Sequence, residues 1–212
     1  SAGDAIVAYI AAQIAEITQL DSGVRQGADD AVHGMRSATR RLRSTLSAYG
    51  KLFDADAADQ LKTELKWLGK VLGKARDAEV LRDRIGELMN EQPDGLVPAS
   101  AASRINDELE TAFNSGYRNM LRSLGTKRYF RLLESLEEFR DEPPTKPRAG
   151  KKARPVTAKL AGRAIKRLRR SQKAAAGQTG VEGDRALHQV RKDAKRCAMR
   201  PKHWRTSTRN PP

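Results

Sequence analysis

One predicted helix carries the residues of this sequence that are best suited to chemistry. It presents one histidine and three arginines at helical spacing, within about 80° of one another around the axis: His33, Arg36, Arg40 and Arg43. Like charges at this spacing repel one another, and no acidic residue occupies positions 31–53 to offset them. Such a face is typical of an anion-binding site, whereas a solvated surface is the simpler interpretation of a single basic helix.

A second copy of the pattern near the carboxyl end favours the anion-binding interpretation. The segment AVHGMRSATRR at 31–41 aligns with ALHQVRKDAKR at 186–196. The alignment matches four polar positions, namely His33 with His188, Arg36 with Arg191, Arg40 with Lys195, and Arg41 with Arg196. Lys192 adds a further cation to the second copy. Two copies of one basic helix face predict two similar helical halves.

Helical periodicity covers most of the chain and predicts an all-α fold. Apolar residues recur every three or four positions in eight stretches, at residues 6–20, 31–49, 56–72, 80–88, 100–124, 129–140, 156–176 and 186–200. We interpret residues 73–77 as a break between the third and fourth stretches, and Asp29 and Asp184 as helix caps. The sequence shows no strand pattern, hairpin turn or glycine-rich phosphate loop.

The periodicity also predicts which side chains face inward. On the stretch 100–124 the inward residues include Ile105, Leu109 and Phe113, and on 156–176 they include Ile165 and Leu168. The latter stretch carries a basic face on another side, at Arg163, Lys166, Arg167 and Arg170. Arg76 has two interpretations. It either pairs with a neighbouring helix or helps to orient the basic stripe.

The distribution of charge and proline divides the chain. Residues 1–144 hold 20 Lys and Arg against 23 Asp and Glu, and residues 145–212 hold 21 against 3, which gives net charges of −3 and +18. Residues 141–155 contain four prolines and no apolar periodicity, so we predict a linker there. A first helical half then spans 1–140, and a second, truncated half spans 156–212. The basic block predicts a polyanionic partner, whether nucleic acid, polyphosphate or an anionic membrane surface.

Composition excludes several kinds of site. The single cysteine, Cys197, cannot form an internal disulfide or any of the usual zinc frameworks, so we expect a reducing, cytoplasmic location and no cofactor. No apolar run reaches about 18 residues, and no charged-then-apolar signal opens the chain. We therefore expect no membrane span.

Three segments together resemble the CHAD family, the conserved-histidine α-helical domain. They are VHGMRSATRRLRS at 32–44, LKWLGKVLGKARDAEVLRDRI at 65–85 and LHQVRKDAKR at 187–196. The resemblance implies two pseudosymmetric antiparallel helical bundles around a basic groove or pore that binds inorganic polyphosphate. It implies a site formed by His33, Arg36, Arg40, Arg41, Arg43, Arg76, His188, Arg191, Lys192, Lys195 and Arg196. An accompanying triphosphatase-type domain or protein, and association with polyphosphate granules, are further implications.

After Arg196 the sequence departs from the family pattern. The family continues with a segment such as LRYAAEAL and a second helical hairpin, whereas this chain reads CAMRPKHWRTSTRNPP. One choice of codons for residues 197–204, read one nucleotide earlier, encodes LRYAAEAL. We therefore expect a frameshift near codon 196, which leaves the second bundle incomplete or completed by another copy in a homo-oligomer. The nucleotide sequence of the gene tests this expectation.

Three functions remain open at this point. The first is a non-catalytic module that binds polyphosphate, a ligand that needs dense cationic donors and no stacking surface, and only 5% of the residues are aromatic. The second is a helical nucleic-acid-binding protein that contacts phosphates through the basic carboxyl half. The third is a phosphatase or phosphotransferase with His33 or His188 as nucleophile or metal ligand, although neither has a nearby carboxylate at metal-ligand spacing.

Overall fold

The described part of the chain is helical, as the periodicity predicts. The computed structural model describes residues 1–93, 95–150 and 153–198, and their side chains except those of 2, 153–161 and 195–198. These residues form seven α-helices: α1 (Ala2–Gln26), α2 (Ala31–Tyr49), α3 (Ala55–Asn90), α4 (Ala99–Leu124), α5 (Lys127–Asp141), α6 (Ala153–Ala175) and α7 (Gly180–Ala198). Two 3₁₀ turns accompany them, at Gly50–Leu52 and Pro147–Gly150. The described residues contain no strand, and the all-α prediction is confirmed.

Helix α3 is continuous, so the predicted break at residues 73–77 is wrong. Glycine in a helix interior costs only about 1 kcal/mol relative to alanine, which tertiary packing readily offsets. Leu72 and Ala75 are both buried, on either side of the buried Gly73. The packing of this stretch therefore overrides the local preference of glycine to end a helix.

The chain divides into two compact units. We call the first the terminal unit, which comprises Ser1–Ala12, Arg41–Lys62 and Arg140–Pro212. The second, the central unit, comprises Gln13–Arg40 and Thr63–Phe139. Each unit therefore combines stretches that are far apart in sequence. The division into family halves at 1–140 and 156–212 stays a prediction.

The core of the central unit is apolar and draws on five helices. Fully buried side chains come from each of them, including Ile17 of α1, Met35 of α2, Leu68 of α3, Leu124 of α4 and Leu136 of α5. The predicted apolar stripe of α2 is confirmed at Met35. Burial of large aliphatic side chains of this kind stabilises the unit by roughly 1.5–3 kcal/mol each.

A partly buried polar junction joins three helices of the central unit. The Tyr129 hydroxyl donates to Asp21 Oδ1 at 2.6 Å, and Arg25 Nε donates to Asp21 Oδ2 at 2.8 Å. Arg25 Nη2 also donates to the Leu124 carbonyl at 2.9 Å, which satisfies one of the last carbonyls of α4. Burial, followed by the hydrogen bond to Asp21, raises the pKa of Tyr129, and the bond to Asp21 raises the pKa of Arg25.

Away from this core, the facing parts of α3 and α4 bury little. No described side chain in 76–119 is fully buried, and Ile105 is 37% exposed, so its predicted inward position is wrong. Two helices that pack only along a shared seam leave their outer apolar residues accessible. The seam includes a cation–π contact, with the Arg82 guanidinium 4.1 Å from the Phe113 ring centroid.

In the terminal unit, the predicted linker is tied to the start of α3. Asp54 N donates to the Pro144 carbonyl at 2.7 Å, and Lys146 N donates to the Leu52 carbonyl at 2.8 Å. The carboxylate of Asp54 in turn accepts from the backbone N–H groups of Asp56 and Ala57, at 3.0 and 3.2 Å. Asp54 therefore caps α3 while its backbone anchors the linker.

Helices α6 and α7 pack against each other within the terminal unit. Helix α7 begins at Gly180, four residues before the predicted cap Asp184, which lies inside the helix. The predicted cap is therefore wrong, because the turn at residues 177–180 uses glycines with positive φ instead. Ile165 is 44% exposed, so its predicted inward position is also wrong.

Candidate anion-binding site

In the central unit, the first copy of the basic stripe lies on α2. His33 and Arg40 are exposed, and Arg36 is half-buried. A Cβ placed on Gly73 of α3 would lie 3.5 Å from Arg36 Nε and 3.9 Å from Nη2. The bare glycine surface thus lets the Arg36 guanidinium rest on α3, which restricts the directions that this side chain can take.

Arg76 follows one turn after Gly73 on α3, and its charge is already partly compensated. Its Nη1 atom lies 2.9 Å from Glu79 Oε2 on the same helix, and both side chains are largely sheltered. The predicted pairing with a neighbouring helix is therefore wrong, because a glutamate three residues along the same helix is within reach. This pairing makes Arg76 a weaker anion ligand than the α2 arginines.

In the terminal unit, the remaining members of the first copy lie on α2 and those of the second copy on α7. Arg41 and Arg43 are half-buried, whereas His188, Arg191 and Lys192 are exposed. Lys195 and Arg196 belong to α7, but their side chains lie outside the described residues. The structure thus shows the nominated residues as two sets, one in each unit.

The two copies of the motif agree in burial at two matched positions. The histidine is exposed in both, and the position five residues later is buried in both, as Ala38 in the first copy and Asp193 in the second. Asp193 is only 2% exposed and accepts a hydrogen bond from Gln189 Nε2 at 3.1 Å. The repeat seen in the sequence therefore has a structural counterpart at these two positions. The second copy holds a buried carboxylate at the second of them.

A cavity of about 800 Å³ in the terminal unit was not predicted from sequence. Its charged lining comprises Lys51, Lys62, Lys146, Arg148, Arg163 and Arg167, with Asp59 and Asp193 as the acids. The i and i+4 spacing of Arg163 and Arg167 shows in the sequence that both share one face of α6. Lys51, Lys146 and Arg148 lie in turns, and no periodic signal could have brought them to the same wall.

The described residues also bear on metal sites and on membrane-spanning helices. They contain no group of three or more His, Cys, Asp or Glu side chains that could hold a metal ion. None of the helices within the described ranges is long and apolar enough to cross a membrane.

Comparison with known proteins identifies relatives of this architecture. The CHAD domain matches residues 8–200. Two uncharacterised proteins of Mycobacterium tuberculosis, MT2285 from strain CDC 1551 / Oshkosh and Rv2226 from strain H37Rv, are each 35% identical over 194 residues. The match covers 91% of this chain but only 38% of each relative, so the chain spans well under half the length of these proteins.

Two solved structures share the fold. PptA from Streptomyces chartreusis superposes with a TM-score of 0.70 at 21% identity, over 93% of this chain and 73% of PptA. The CHAD domain of the plant Ricinus communis superposes with a TM-score of 0.64 at 22% identity, over 98% of this chain and 70% of that one.

Proposed function

Because the chain belongs to the CHAD family, we propose that it binds inorganic polyphosphate through the basic faces of its two H-x-x-R copies. In this proposal the chain is a binding module without catalysis of its own. It acts in the cytoplasm, at polyphosphate granules. A triphosphatase-type domain or partner protein would supply any chemistry on the ligand.

The observation that carries the proposal is a set of cations on the two basic faces that have no carboxylate partner in the described part of the chain. Arg36, Arg40 and Arg43 of the first copy, and Arg191 and Lys192 of the second, have no carboxylate within ion-pair distance among the described residues. Other arginines of the chain are paired, such as Arg25 with Asp21 and Arg128 with Glu64. A face of unpaired, mutually repelling cations is stabilised when a polyanion lies against it.

The geometry of these faces suits a flexible linear anion. Each face repeats its cations once per helical turn, about 5.4 Å apart along the axis, so successive charges can meet successive phosphates of an extended chain. Nucleic-acid single strands are usually held by aromatic rings that stack on the bases. No aromatic residue lies within either motif copy at 31–41 or 186–196. The charge pattern therefore supports polyphosphate over nucleic acid.

The first test is isothermal titration calorimetry with polyphosphate of defined length at about 0.15 M salt, a concentration at which long-range surface electrostatics is screened beyond about 8 Å. We expect Arg36→Ala with Arg40→Ala to weaken binding by about a hundredfold or more, since each of the two charge-assisted contacts contributes about 1.5–3 kcal/mol. The matched control is Lys66→Ala with Lys70→Ala. These two exposed lysines of α3 have the same spacing, charge and unit but belong to no motif copy.

Three results would contradict the proposal. Equal losses from the arginine pair and the lysine pair would indicate a diffuse charge cloud in place of a site. Displacement of polyphosphate by duplex DNA at equal phosphate concentration would favour the nucleic-acid function, because both ligands would then use the same counterion-dependent attraction. Release of phosphate from polyphosphate by the purified chain with a divalent metal would overturn the non-catalytic assignment.

A further inference from the structure

We infer that the cavity of the terminal unit binds a small organic phosphate, meaning a phosphate ester that carries an apolar group. The inference is independent of polyphosphate binding. Among the nominated residues of the basic faces whose side chains the structure describes, none lines this cavity. Its volume of about 800 Å³ lies within the range of about 300–1,000 Å³ that is usual for small-molecule sites.

The charged residues of the cavity lining are the donors that a phosphate group needs. Four of its cations, Lys51, Arg148, Arg163 and Arg167, have no carboxylate partner among the described residues. Lys62 and Lys146 are partly compensated, since Lys62 contacts Asp59 and Lys146 Nζ lies 3.8 Å from Asp54 Oδ2. Guanidinium groups bind phosphate oxygens in pairs, and ammonium groups add point charge. The lining thus has an excess of positive charge that suits a multiply charged anion.

Two serine hydroxyl groups add to the polar part of the cavity lining. Ser44 and Ser47 line the cavity one turn apart on α2. The Ser47 hydroxyl donates to the Arg43 carbonyl at 2.8 Å, so it is held in place, and its oxygen can still accept a bond from a ligand hydroxyl. Hydroxyl groups beside guanidinium groups are common partners of phosphate esters.

Part of the cavity lining is apolar, which distinguishes it from a site for inorganic phosphate. Four alanines line the cavity, namely Ala48, Ala55, Ala58 and Ala164, together with Leu46 and Phe53. Small side chains at these positions leave the volume open, because larger ones would occupy it. A lining that combines apolar side chains with unpaired cations predicts a ligand with an apolar portion and a phosphate, and a nucleotide and an alkyl phosphate share that chemistry.

The test uses 1-naphthyl phosphate, titrated calorimetrically into the full chain. We expect one site, with an affinity at least about tenfold higher than that of inorganic phosphate, because burial of the ring adds hydrophobic free energy. Arg163→Ala with Arg167→Ala should weaken binding by about tenfold. Lys166→Ala with Arg170→Ala, an equally spaced pair on the same helix that does not line the cavity, should change binding by less than about twofold.

A second variant keeps the inference testable if the arginine pair affects folding. Ala164→Trp should fill the cavity and abolish binding of 1-naphthyl phosphate while polyphosphate binding persists. Competition with AMP or decyl phosphate then identifies the class of ligand, since the better competitor shows whether the site suits a nucleotide or an alkyl phosphate. Equal affinities for 1-naphthyl phosphate and inorganic phosphate, equal losses from the two pairs, or displacement by neither competitor would overturn the inference.

Discussion

Replacement of Tyr129 by phenylalanine isolates the contribution of one charged hydrogen bond to the central unit. Tyr129 is 0% exposed, and its hydroxyl donates to the Asp21 carboxylate at 2.6 Å. Tyr129→Phe leaves the ring in its packed position, so it creates no large cavity. The variant removes one donor from Asp21 while the bond from Arg25 Nε at 2.8 Å remains.

The expected magnitude follows from this geometry. A hydrogen bond to a charged group contributes about 1.5–3 kcal/mol to stability. The Asp21 side chain is 22% exposed, so water can replace part of the lost bond, which places the cost near the lower end, at about 1.5–2 kcal/mol. For a chain of this size that corresponds to a decrease in Tm of about 3–8 °C.

The same hydroxyl makes stability depend on alkaline pH. Because burial raises the pKa of Tyr129 above its ordinary value of 10.0, the folded state keeps the proton where the unfolded chain loses it. The stabilisation is therefore complete below pH 10 and is lost as the pH rises through and above that value. Tyr129→Phe should flatten the alkaline part of the stability curve.

The measurement is urea unfolding followed by circular dichroism, at neutral pH and at a series of values up to about pH 11. The matched control is Tyr117→Phe, in the same unit, whose hydroxyl donates to the neutral carbonyl of Val24 at 2.7 Å. Loss of a neutral hydrogen bond should cost only about 0.5–1.5 kcal/mol. If Tyr129→Phe has the stability of the parent chain within about 0.5 kcal/mol, the junction does not stabilise the unit as its distances suggest.

Substitutions at two further positions test local features of α3 and its cap. Gly73→Ala should raise the free energy of unfolding by about 0.5–1 kcal/mol, because alanine is the better helix former. The added Cβ would lie at an ordinary contact distance of 3.5 Å from Arg36 Nε. If urea unfolding shows the variant to be less stable than the parent chain, Arg36 packs more tightly than the structure shows. Bonds from the Ala57 and Asp56 N–H groups lower the pKa of Asp54, so its stabilisation is present above the ordinary value of 3.8 and is lost as the pH falls through the folded value. Thermal melts should show Asp54→Ala to be less stable than the parent chain at pH 7 but no longer so at strongly acidic pH, whereas Asp54→Asn should keep most of the cap at both.

Periodicity was sufficient to predict the fold class and most helices, because amphipathic stripes are a local property. Helices α4 and α5 begin within about two residues of their predicted starts. Exposed positions such as Ile105 and Ile165 could not be predicted, since a helical wheel shows which side is apolar and not whether a neighbour covers it. The continuity of α3 through Gly73 likewise depends on packing between elements.

The candidate site was predictable to the extent that it repeats. His33 and His188 were found because one motif occurs twice in register, and both prove to be exposed. The ion pair of Arg76 with Glu79 is a local feature that the sequence could have predicted, because residues three apart on one helix are neighbours. The cavity could not be predicted, because Lys51, Arg148 and Arg163 meet there from turns and a helix that are distant in sequence.

The discontinuous make-up of the terminal unit limits how the chain can be divided into expressed fragments. The unit combines Arg41–Lys62 with Arg140–Pro212, and residues 63–139 of the central unit lie between them in sequence. The unit can therefore form only after the chain brings these two distant stretches together. A fragment that ends near residue 140 would retain Ser1–Ala12 and Arg41–Lys62 but lose the rest of their unit, and would expose apolar side chains such as Leu52 and Phe53. Non-local assembly of this kind also predicts slower folding than that of a helical bundle built from consecutive helices.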